Sequence, residues 1–309
     1  MNLQFEYDIL TGNWNCIELT KATRNDQQDS KETIHNIQPK GLYIRDLGYV
    51  TTTYLKGICE NNAFFINRLP KMGVYIQKEN QHRPLDWNAL DKAMKKNDES
   101  FTEMEVYIGK KEKIKCRMII QKIPQEVASK RIRKASQGGK RTEGYQLSKE
   151  YKIKAHYNIF ITNVPKEILN AHQILDAYRL RWQIEIIFKT WKSNLDIHNI
   201  KPVKTARMEC QLLMRLIWIL INSRLHSISQ FIIFKDNPKT GCSIYKFLRF
   251  SKKFFRYMIE CIYDLELFIN WFKDTILPML KDLRIEKRLK KRTHCEIINS
   301  VVNPSVIPF

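Results

Sequence analysis

The order of extended and helical segments is the sequence feature that most limits how this chain can fold. Extended runs are predicted at residues 3–10, 14–20, 41–46, 62–69 and 157–164, and helical patterns at 50–60, from 172 to about 226, and from 244 to 280. The first two runs flank the turn signal Thr11-Gly12-Asn13, which predicts a β-hairpin. The run at 41–46 has the character of a buried strand ending in a turn, and Pro202 is expected to break the later helical stretch in two.

Between these segments the chain changes character. Residues 102–108 and 114–123 are strand-like pieces joined by polar turns, and a basic stretch follows at Lys130–Arg141. We interpret this part as a β-rich insertion that carries a mobile basic loop. The predicted divisions are 1–72 and 156–230 for the two parts of one α/β domain, 73–155 for the insertion, and 231–309 for a C-terminal helical region.

The charge of the chain favours a polyanionic partner. There are 53 Lys and Arg residues against 32 Asp and Glu, which gives a formal net charge of +21. Nucleic acid is the simplest partner for such a charge, while an anionic membrane surface and a merely soluble basic protein are the alternatives. No run of about 18 apolar residues is present, so we expect no membrane span. The nearest stretch, 212–221, is interrupted by Arg215.

Several classes of protein find no support in the sequence. The seven cysteines are scattered and form no CxxC pair, which argues against a disulfide framework or a zinc ribbon and favours the reducing cytoplasm. The seven histidines show no HExxH spacing. No glycine-rich phosphate loop or GxSxG sequence is found, so a basic metabolic enzyme is disfavoured.

One predicted helix gathers the residues best suited to phosphate chemistry. At about 100° per residue, Tyr178, Arg181, Glu185 and Lys192 share a stripe about 60° wide. The apolar residues on the opposite side are Leu180, Ile184, Ile187 and Trp191. Glu185 could hold a divalent cation, and the positively charged side chains of Arg181 and Lys192 could hold nucleic-acid phosphates. The alternative is an ordinary amphipathic helix whose polar face carries i,i+4 ion pairs.

The same four residues carry a family resemblance. Tyr178, Arg181, Glu185 and Lys192 match the pattern Y-(2)-R-(3)-E-(6)-K, which resembles the signature of DDE transposases of the insertion sequence 4 family. A second block, GLYIRDLGYVTTTYLKGICENNAFFINRLP at 41–70, is similar to the family's segment around its second catalytic aspartate, and it places Asp46 at that position. The segment at 6–27 resembles the hairpin that precedes this block. For Asp46 alone, the alternative is a turn-forming aspartate.

The resemblance implies a fold and a reaction. The implied fold is a ribonuclease H-like α/β domain with a β-rich insertion and C-terminal helices. The implied reaction is DNA strand cleavage and transfer, in which three carboxylates bind two divalent cations, Mg²⁺ or Mn²⁺. Asp46 and Glu185 are then the predicted catalytic metal ligands. The residues predicted to contact DNA are Tyr178, Arg181, Lys189, Lys192 and Arg68. The implied partners are transposon terminal repeats and target DNA, with a homodimer on the DNA.

The family's first catalytic aspartate has no counterpart at its expected place. It lies on the strand before the hairpin, and neither Asp8 nor Asp26 matches it. We therefore expect a truncated or split copy that lacks this first strand, with the third carboxylate supplied by an upstream polypeptide. The second hypothesis is a non-catalytic DNA-binding protein that competes for transposon ends. Either protein is expected in the bacterial cytoplasm, associated with the nucleoid.

Overall fold

The computed structural model describes residues 2–21, 23–139, 146–197, 199, 203–261, 263–286 and 292–301. These residues form a mixed α/β protein, which confirms the predicted class at that level. The chain divides into two compact units. The first unit contains Met1–Asn2 and Thr20–Tyr178, and the second contains Leu3–Leu19 and Arg179–Phe309. Pro202, the predicted helix breaker, lies outside the described residues.

Within the described residues, the strands lie where the sequence predicts extended runs, except those at 74–78 and 81–84, which were not predicted. They are β1 (Asn2–Tyr7), β2 (Trp14–Thr20), β3 (Leu42–Tyr43), β4 (Phe64–Arg68), β5 (Val74–Lys78), β6 (Gln81–Pro84), β7 (Phe101–Ile108), β8 (Ile114–Lys122) and β9 (Tyr157–Thr162).

The helices fall into a scattered early group and a dense late group. They are α1 (Asp26–Glu32), α2 (Thr52–Glu60), α3 (Trp87–Lys96), α4 (Gln125–Gly139), α5 (Lys149–Lys154), α6 (Ala171–Arg179), α7 (Trp182–Leu195), α8 (Thr205–Asp236), α9 (Ile244–Ser251), α10 (Phe255–Cys261), α11 (Leu265–Trp271), α12 (Leu277–Met279) and α13 (His294–Val301). Short 3₁₀ helices cover Ile34–Asn36, Leu47–Tyr49 and Lys252–Phe254, and a π-helical turn covers Phe272–Ile276.

The first unit is organised around one mixed sheet. Its strand order is β3-β4-β9-β8-β7-β5-β6, with β3 and β4 parallel and the other neighbours antiparallel. The strands between residues 73 and 155 are therefore continuous with those on either side, because β8 pairs directly with β9 along Arg117–Lys122. The division of the chain into four parts stays a prediction.

The middle of this sheet is buried because its strands are apolar on both faces. β9 (YNIFIT) and the second half of β8 read as nearly unbroken apolar runs, which is the pattern of strands covered on both sides. Helix α2 adds Tyr54, Leu55 and Ile58 to this core. The prediction of a buried strand at 41–46 is wrong. β3 has two residues at the end of the sheet, and Leu42 is 39% exposed.

In the second unit, the predicted β-hairpin is confirmed as a two-stranded sheet of β1 and β2. The connecting turn needs a glycine, because Gly12 has a φ of +74° and a Cβ atom there would lie 2.4 Å from Ser227 Oγ. The aromatic face of the hairpin packs on α7. Trp191 of that helix lies with its ring centroid 4.9 Å from that of Phe5 and 5.4 Å from that of Trp14.

Helix α8 has 32 residues and two apolar faces. One face, with Leu216 and Ile219, is buried in the second unit, whereas Met214 and Ile217 on the other face are exposed. The helix continues through Arg215, which the sequence prediction took as an interruption. By length and composition alone α8 could cross a membrane. This is weak evidence of a span, because the core helix of a soluble protein passes the same test.

Two histidines of the second unit are held in their neutral form. His226 on α8 lies 3.1 Å from the Cys242 carbonyl oxygen, and burial lowers its pKa to about 4. Burial, together with the nearby His226, lowers the pKa of His294 to about 4 as well. Both values lie below the usual 6.5 of an unfolded chain, so the unfolded state binds more protons between pH 6.5 and 4. The stability from each neutral imidazole is present above pH 6.5 and is lost as the pH falls towards 4.

We expect the unfolding free energy of the second unit to fall by several kcal/mol between pH 7 and pH 4, since each such histidine contributes on the order of 3 kcal/mol. The measurement is a series of urea titrations across this pH range. His226→Gln should make the decline shallower, because glutamine cannot take up the proton. His172→Gln, at an exposed position of the first unit, should leave it unchanged. An identical decline in the His226 variant would contradict this assignment.

Candidate active site and nucleic-acid interface

Asp46 lies just beyond β3, where the chain leaves the sheet. Its side chain caps the short 3₁₀ helix Leu47–Tyr49, and Oδ1 accepts a hydrogen bond from the Leu47 N–H at 2.8 Å. The residue is exposed. The capping contact is the turn-forming role considered above as the alternative for this residue, and it fixes one carboxylate oxygen in a known direction.

The backbone that presents Asp46 is tied down from two sides. Asn67, buried on β4, donates from Nδ2 to the Arg45 carbonyl oxygen at 2.9 Å. The Arg45 guanidinium lies 3.9 Å from the buried carboxylate of Asp29, which also pairs with Arg24 at 2.8 Å. The sheet and α1 therefore both hold the segment in place immediately before Asp46.

The prediction of one helix running from Tyr178 to Lys192 is wrong. The chain forms a turn at Leu180 and Arg181, between α6 and α7. There the Gln183 N–H donates to the Leu180 carbonyl at 2.9 Å, a step of three residues instead of the four of an α-helix. The four signature residues consequently do not share the stripe of a single helix. Tyr178 belongs to α6, and the other three lie at the start of α7 and along it.

Tyr178 and Arg68 meet through one aromatic ring in the first unit. The Tyr178 ring packs edge-on against Phe160 of β9, with centroids 5.0 Å apart. The Arg68 guanidinium lies 5.9 Å from the centroid of the same Phe160 ring. Two residues that the family resemblance implies as DNA contacts therefore touch the same ring of this unit.

Helix α7 carries the carboxylate of the signature. Glu185 pairs with Arg181 at 2.7 Å, one turn earlier. This is the i,i+4 contact that the simple amphipathic helix also predicts. Lys189 and Lys192 are exposed, and in the described part of the chain neither forms an ion pair. The predicted anchoring of the opposite side is confirmed, since Trp191 is buried against the hairpin.

The carboxylates of Asp46 and Glu185 are the kind of ligand that binds a divalent cation, but they are two where the resemblance implies three. Carboxylate oxygens are the ligands preferred by Mg²⁺. Each of these side chains already has one oxygen engaged, by the Leu47 N–H or by Arg181. Among the residues that the structure describes, no group of three His, Cys, Asp or Glu side chains could hold a metal ion.

Two guanidinium groups converge on a single amide in the first unit. Asn158 Oδ1 accepts from Arg68 Nη2 at 2.6 Å and from Arg131 Nη2 at 2.7 Å. Neither arginine forms an ion pair within the described ranges, and burial together with the charge of Arg68 lowers the pKa of Arg131. Two like charges this close repel each other, so an anion bound between them would be stabilised.

No local sequence pattern indicates this convergence. Arg131 was assigned to a mobile basic loop at Lys130–Arg141, but Lys130–Gly139 lies in helix α4, so that prediction is wrong for these ten residues. The helix orders Arg131, whose Nη1 also donates to the Tyr157 carbonyl at 3.0 Å. Lys140 and Arg141 lie outside the described residues.

A second basic segment, KDLRIEKRLKKR at Lys281–Arg292, has a sequence that predicts either a helix face or a non-specific DNA contact. The described part, 281–286, forms turns and a single β-bridge between Arg284 and Cys242, so the helical alternative is wrong there. Lys246 pairs with Glu286 at 2.9 Å, which ties this part to α9. Residues 287–291 lie outside the described residues.

Comparison with known proteins establishes the class. Residues 1–221 match the model of the transposase DDE domain, and the chain therefore belongs to that family. The family resemblance found in the sequence is thereby confirmed, and membership of the insertion sequence 4 group is consistent with it. No solved structure matches the chain.

Three curated relatives illustrate the similarity. The chain is 32% identical over 237 residues to the transposase for insertion sequence element IS231B of Bacillus thuringiensis subsp. berliner, covering 72% of this chain and 49% of that protein. It is 30% identical over 317 aligned positions to the IS1151 transposase of Clostridium perfringens, covering 97% and 66%. To the IS231C transposase of Bacillus thuringiensis subsp. berliner it is 31% identical over 261 residues, covering 80% of this chain and 54% of that protein. The chain thus spans about half to two thirds of the length of these relatives.

Proposed function

We propose that this chain acts in DNA transposition, through strand cleavage and transfer at transposon ends by DDE-type phosphoryl transfer. Its membership of the transposase DDE domain family is the observation that carries the proposal. The net charge of +21 and the uncompensated pair of Arg68 and Arg131 favour a polyanion such as DNA as the partner. The fold proposed for the part matched by the family model is ribonuclease H-like, with β5–β8 as its insertion.

The proposed roles follow the matched signature. Asp46 and Glu185 are the catalytic carboxylates, and Arg181 holds the Glu185 side chain in position. Bound Mg²⁺ or Mn²⁺ would supply Lewis-acid stabilisation of the charge that develops on phosphate oxygens. A third carboxylate completes the set in this proposal, and it comes from a polypeptide that carries the Asp-bearing strand.

The remaining site residues are proposed to bind DNA. Tyr178 and Arg68 offer one ring and one cation, each in contact with Phe160 of the first unit. Lys189 and Lys192 lie exposed on α7, where their ammonium groups can follow a phosphate backbone. The proposed partners are terminal-repeat and target DNA, bound by a homodimer. The proposed location is the cytoplasm, in association with the nucleoid.

The decisive experiment compares cleavage with binding. The full chain, alone and joined to the Asp-bearing segment, is incubated with Mg²⁺ or Mn²⁺ and DNA that carries the repeats flanking its gene. Glu185→Gln and Asp46→Asn should each reduce strand cleavage at least about 100-fold, because each removes a charged oxygen ligand. Binding to the same DNA should change by less than about threefold, since neither carboxylate attracts phosphate.

The chain offers matched controls for both substitutions. Glu60 pairs with Lys56 one turn away, as Glu185 does with Arg181, so Glu60→Gln should leave cleavage intact. Asp86 caps α3 as Asp46 caps its 3₁₀ helix, so Asp86→Asn is the control for Asp46→Asn. A folded, joined protein that binds the DNA but never cleaves it would contradict the enzymatic proposal and favour the non-catalytic binder.

A further inference from the structure

A cleft of about 680 Å³ opens in the second unit between the turn that joins α9 to α10 and the helix that begins at Leu265. Its lining lies within 252–275, beyond the residues matched by the family model. Neither the signature residues nor the Arg68–Arg131 pair contributes to it. Its residues therefore have no role in the function proposed above.

The lining of the cleft carries three cationic side chains. Lys252, Lys253 and Arg256 line it, and none of the three forms an ion pair within the part of the chain that the structure describes. Two carboxylates, Glu260 and Asp274, also line the cleft. Cations attract phosphate oxygens, whereas carboxylates accept hydrogen bonds from the amino groups of bases. A lining with both kinds of group suits a nucleotide chain better than it suits a simple anion.

The same segment of the lining, 252–257, also carries exposed aromatic side chains. Phe255 is 46% exposed and Tyr257 is 37% exposed, although both belong to a short amphipathic helix. The Phe255 ring packs edge-on against Trp218, with centroids 4.6 Å apart. Exposed aromatic rings are suited to stacking on bases.

An unpartnered donor lies at the cleft wall. Trp271 lines the cleft and is only 4% exposed, and its indole N–H has no hydrogen-bond partner among the described residues. A buried donor without an acceptor is unfavourable. A donor without an acceptor in a residue of the cleft lining is consistent with a ligand that carries acceptor oxygens.

We propose that this cleft binds an unpaired segment of DNA, with Lys252, Lys253 and Arg256 on its phosphates and Phe255 and Tyr257 stacked on its bases. In a duplex the base faces are already stacked on one another, so only an unpaired strand can use the two rings. The proposal rests on the proposed function to the extent that DNA is the partner. It requires no metal and no cleavage, so it can fail or succeed separately.

The test measures fluorescence anisotropy of labelled oligothymidylate and of a matched duplex with the full chain, without divalent metal. Phe255→Leu and Tyr257→Leu keep apolar bulk but remove the flat ring. Each should weaken single-strand binding about tenfold and leave duplex binding within about twofold. Tyr263→Leu, at an exposed ring close in sequence but not lining the cleft, should change neither. Lys253→Gln combined with Arg256→Gln should reduce the salt dependence of single-strand binding.

A second measurement covers variants that fail to fold. Wild-type chain is photocrosslinked to an oligonucleotide containing bromodeoxyuridine, and the attached peptide is identified by mass spectrometry. Attachment within 252–275 is expected. Crosslinks confined to other peptides would overturn the proposal, as would aromatic variants that lose single-strand and duplex binding equally or lose neither.

Discussion

Replacing Trp191 by alanine is expected to lower the unfolding free energy of the second unit by about 3–5 kcal/mol, the range for removing a large buried aromatic side chain. Trp191 is almost fully buried, and its ring meets Phe5, Trp14 and Phe188 at centroid distances between 4.9 and 5.5 Å. The loss combines transfer of the ring to water with a cavity between the hairpin and α7. Urea titration measures the loss of unfolding free energy. Hydrogen exchange of the β1–β2 amides then shows whether the hairpin loses protection.

Two companion variants show whether packing is the cause. The Trp191 indole N–H has no partner in the described part of the chain, so Trp191→Phe should cost less than about 1.5 kcal/mol. Trp182→Ala, at an exposed position of the same helix, should cost less than about 0.5 kcal/mol. If Trp182→Ala and Trp191→Ala proved equally damaging, the packing of the hairpin on α7 could not explain the result.

Replacing Arg117 by methionine is expected to destabilise the first unit by about 3 kcal/mol or more. Its guanidinium pairs with Glu103 at 2.6 Å and donates to the carbonyls of Val164 and Leu169 at 2.6 and 3.0 Å. Both charged side chains are largely shielded from solvent, and methionine can donate no hydrogen bond. One carboxylate and two carbonyls would lose their donor together, and the connection between β9 and α6 would loosen.

An exposed ion pair of the same sheet provides the control. Arg83 and Glu79 pair at 3.2 Å on the β5–β6 hairpin, with both side chains mostly in solvent. Arg83→Met should therefore cost no more than about 1 kcal/mol. Adding Glu103→Leu to Arg117→Met should restore part of the loss, because it removes the uncompensated carboxylate. An additive loss in that double variant, seen in chemical unfolding, would argue against the pair as the source of the stability.

Local patterns predicted much of the fold because the structures concerned are local. The hairpin followed from alternation around Thr11-Gly12-Asn13, α2 from its helical pattern, and β9 from its apolar run. The interruption between α6 and α7 had no comparable signal, since Leu180 and Arg181 are ordinary helix formers. A run of apolar residues likewise predicted a buried strand at 41–46. The strand found there is exposed because it lies at the end of the sheet, a position that the apolar run does not reveal.

The candidate site was predictable only where it depends on residue type and spacing. Arg68, Tyr178 and Glu185 were found as members of a pattern. That Arg131 would share the amide oxygen of Asn158 with Arg68 depends on where α4 packs on the sheet, and contacts across 27 and 90 residues leave no local pattern. The roles of Asp46 and Glu185 as metal ligands stay predictions.

The contact between the hairpin and α7 also has a consequence for synthesis on the ribosome. Phe5 and Trp191 are separated by about 180 residues, which take roughly 10–40 s to translate at 5–20 residues per second. An isolated two-stranded ribbon is marginally stable, so the aromatic face of the hairpin stays uncovered during that interval. The last strand of the first unit, β9, emerges earlier, and that unit can therefore complete its sheet while the hairpin is still waiting for its partner helix.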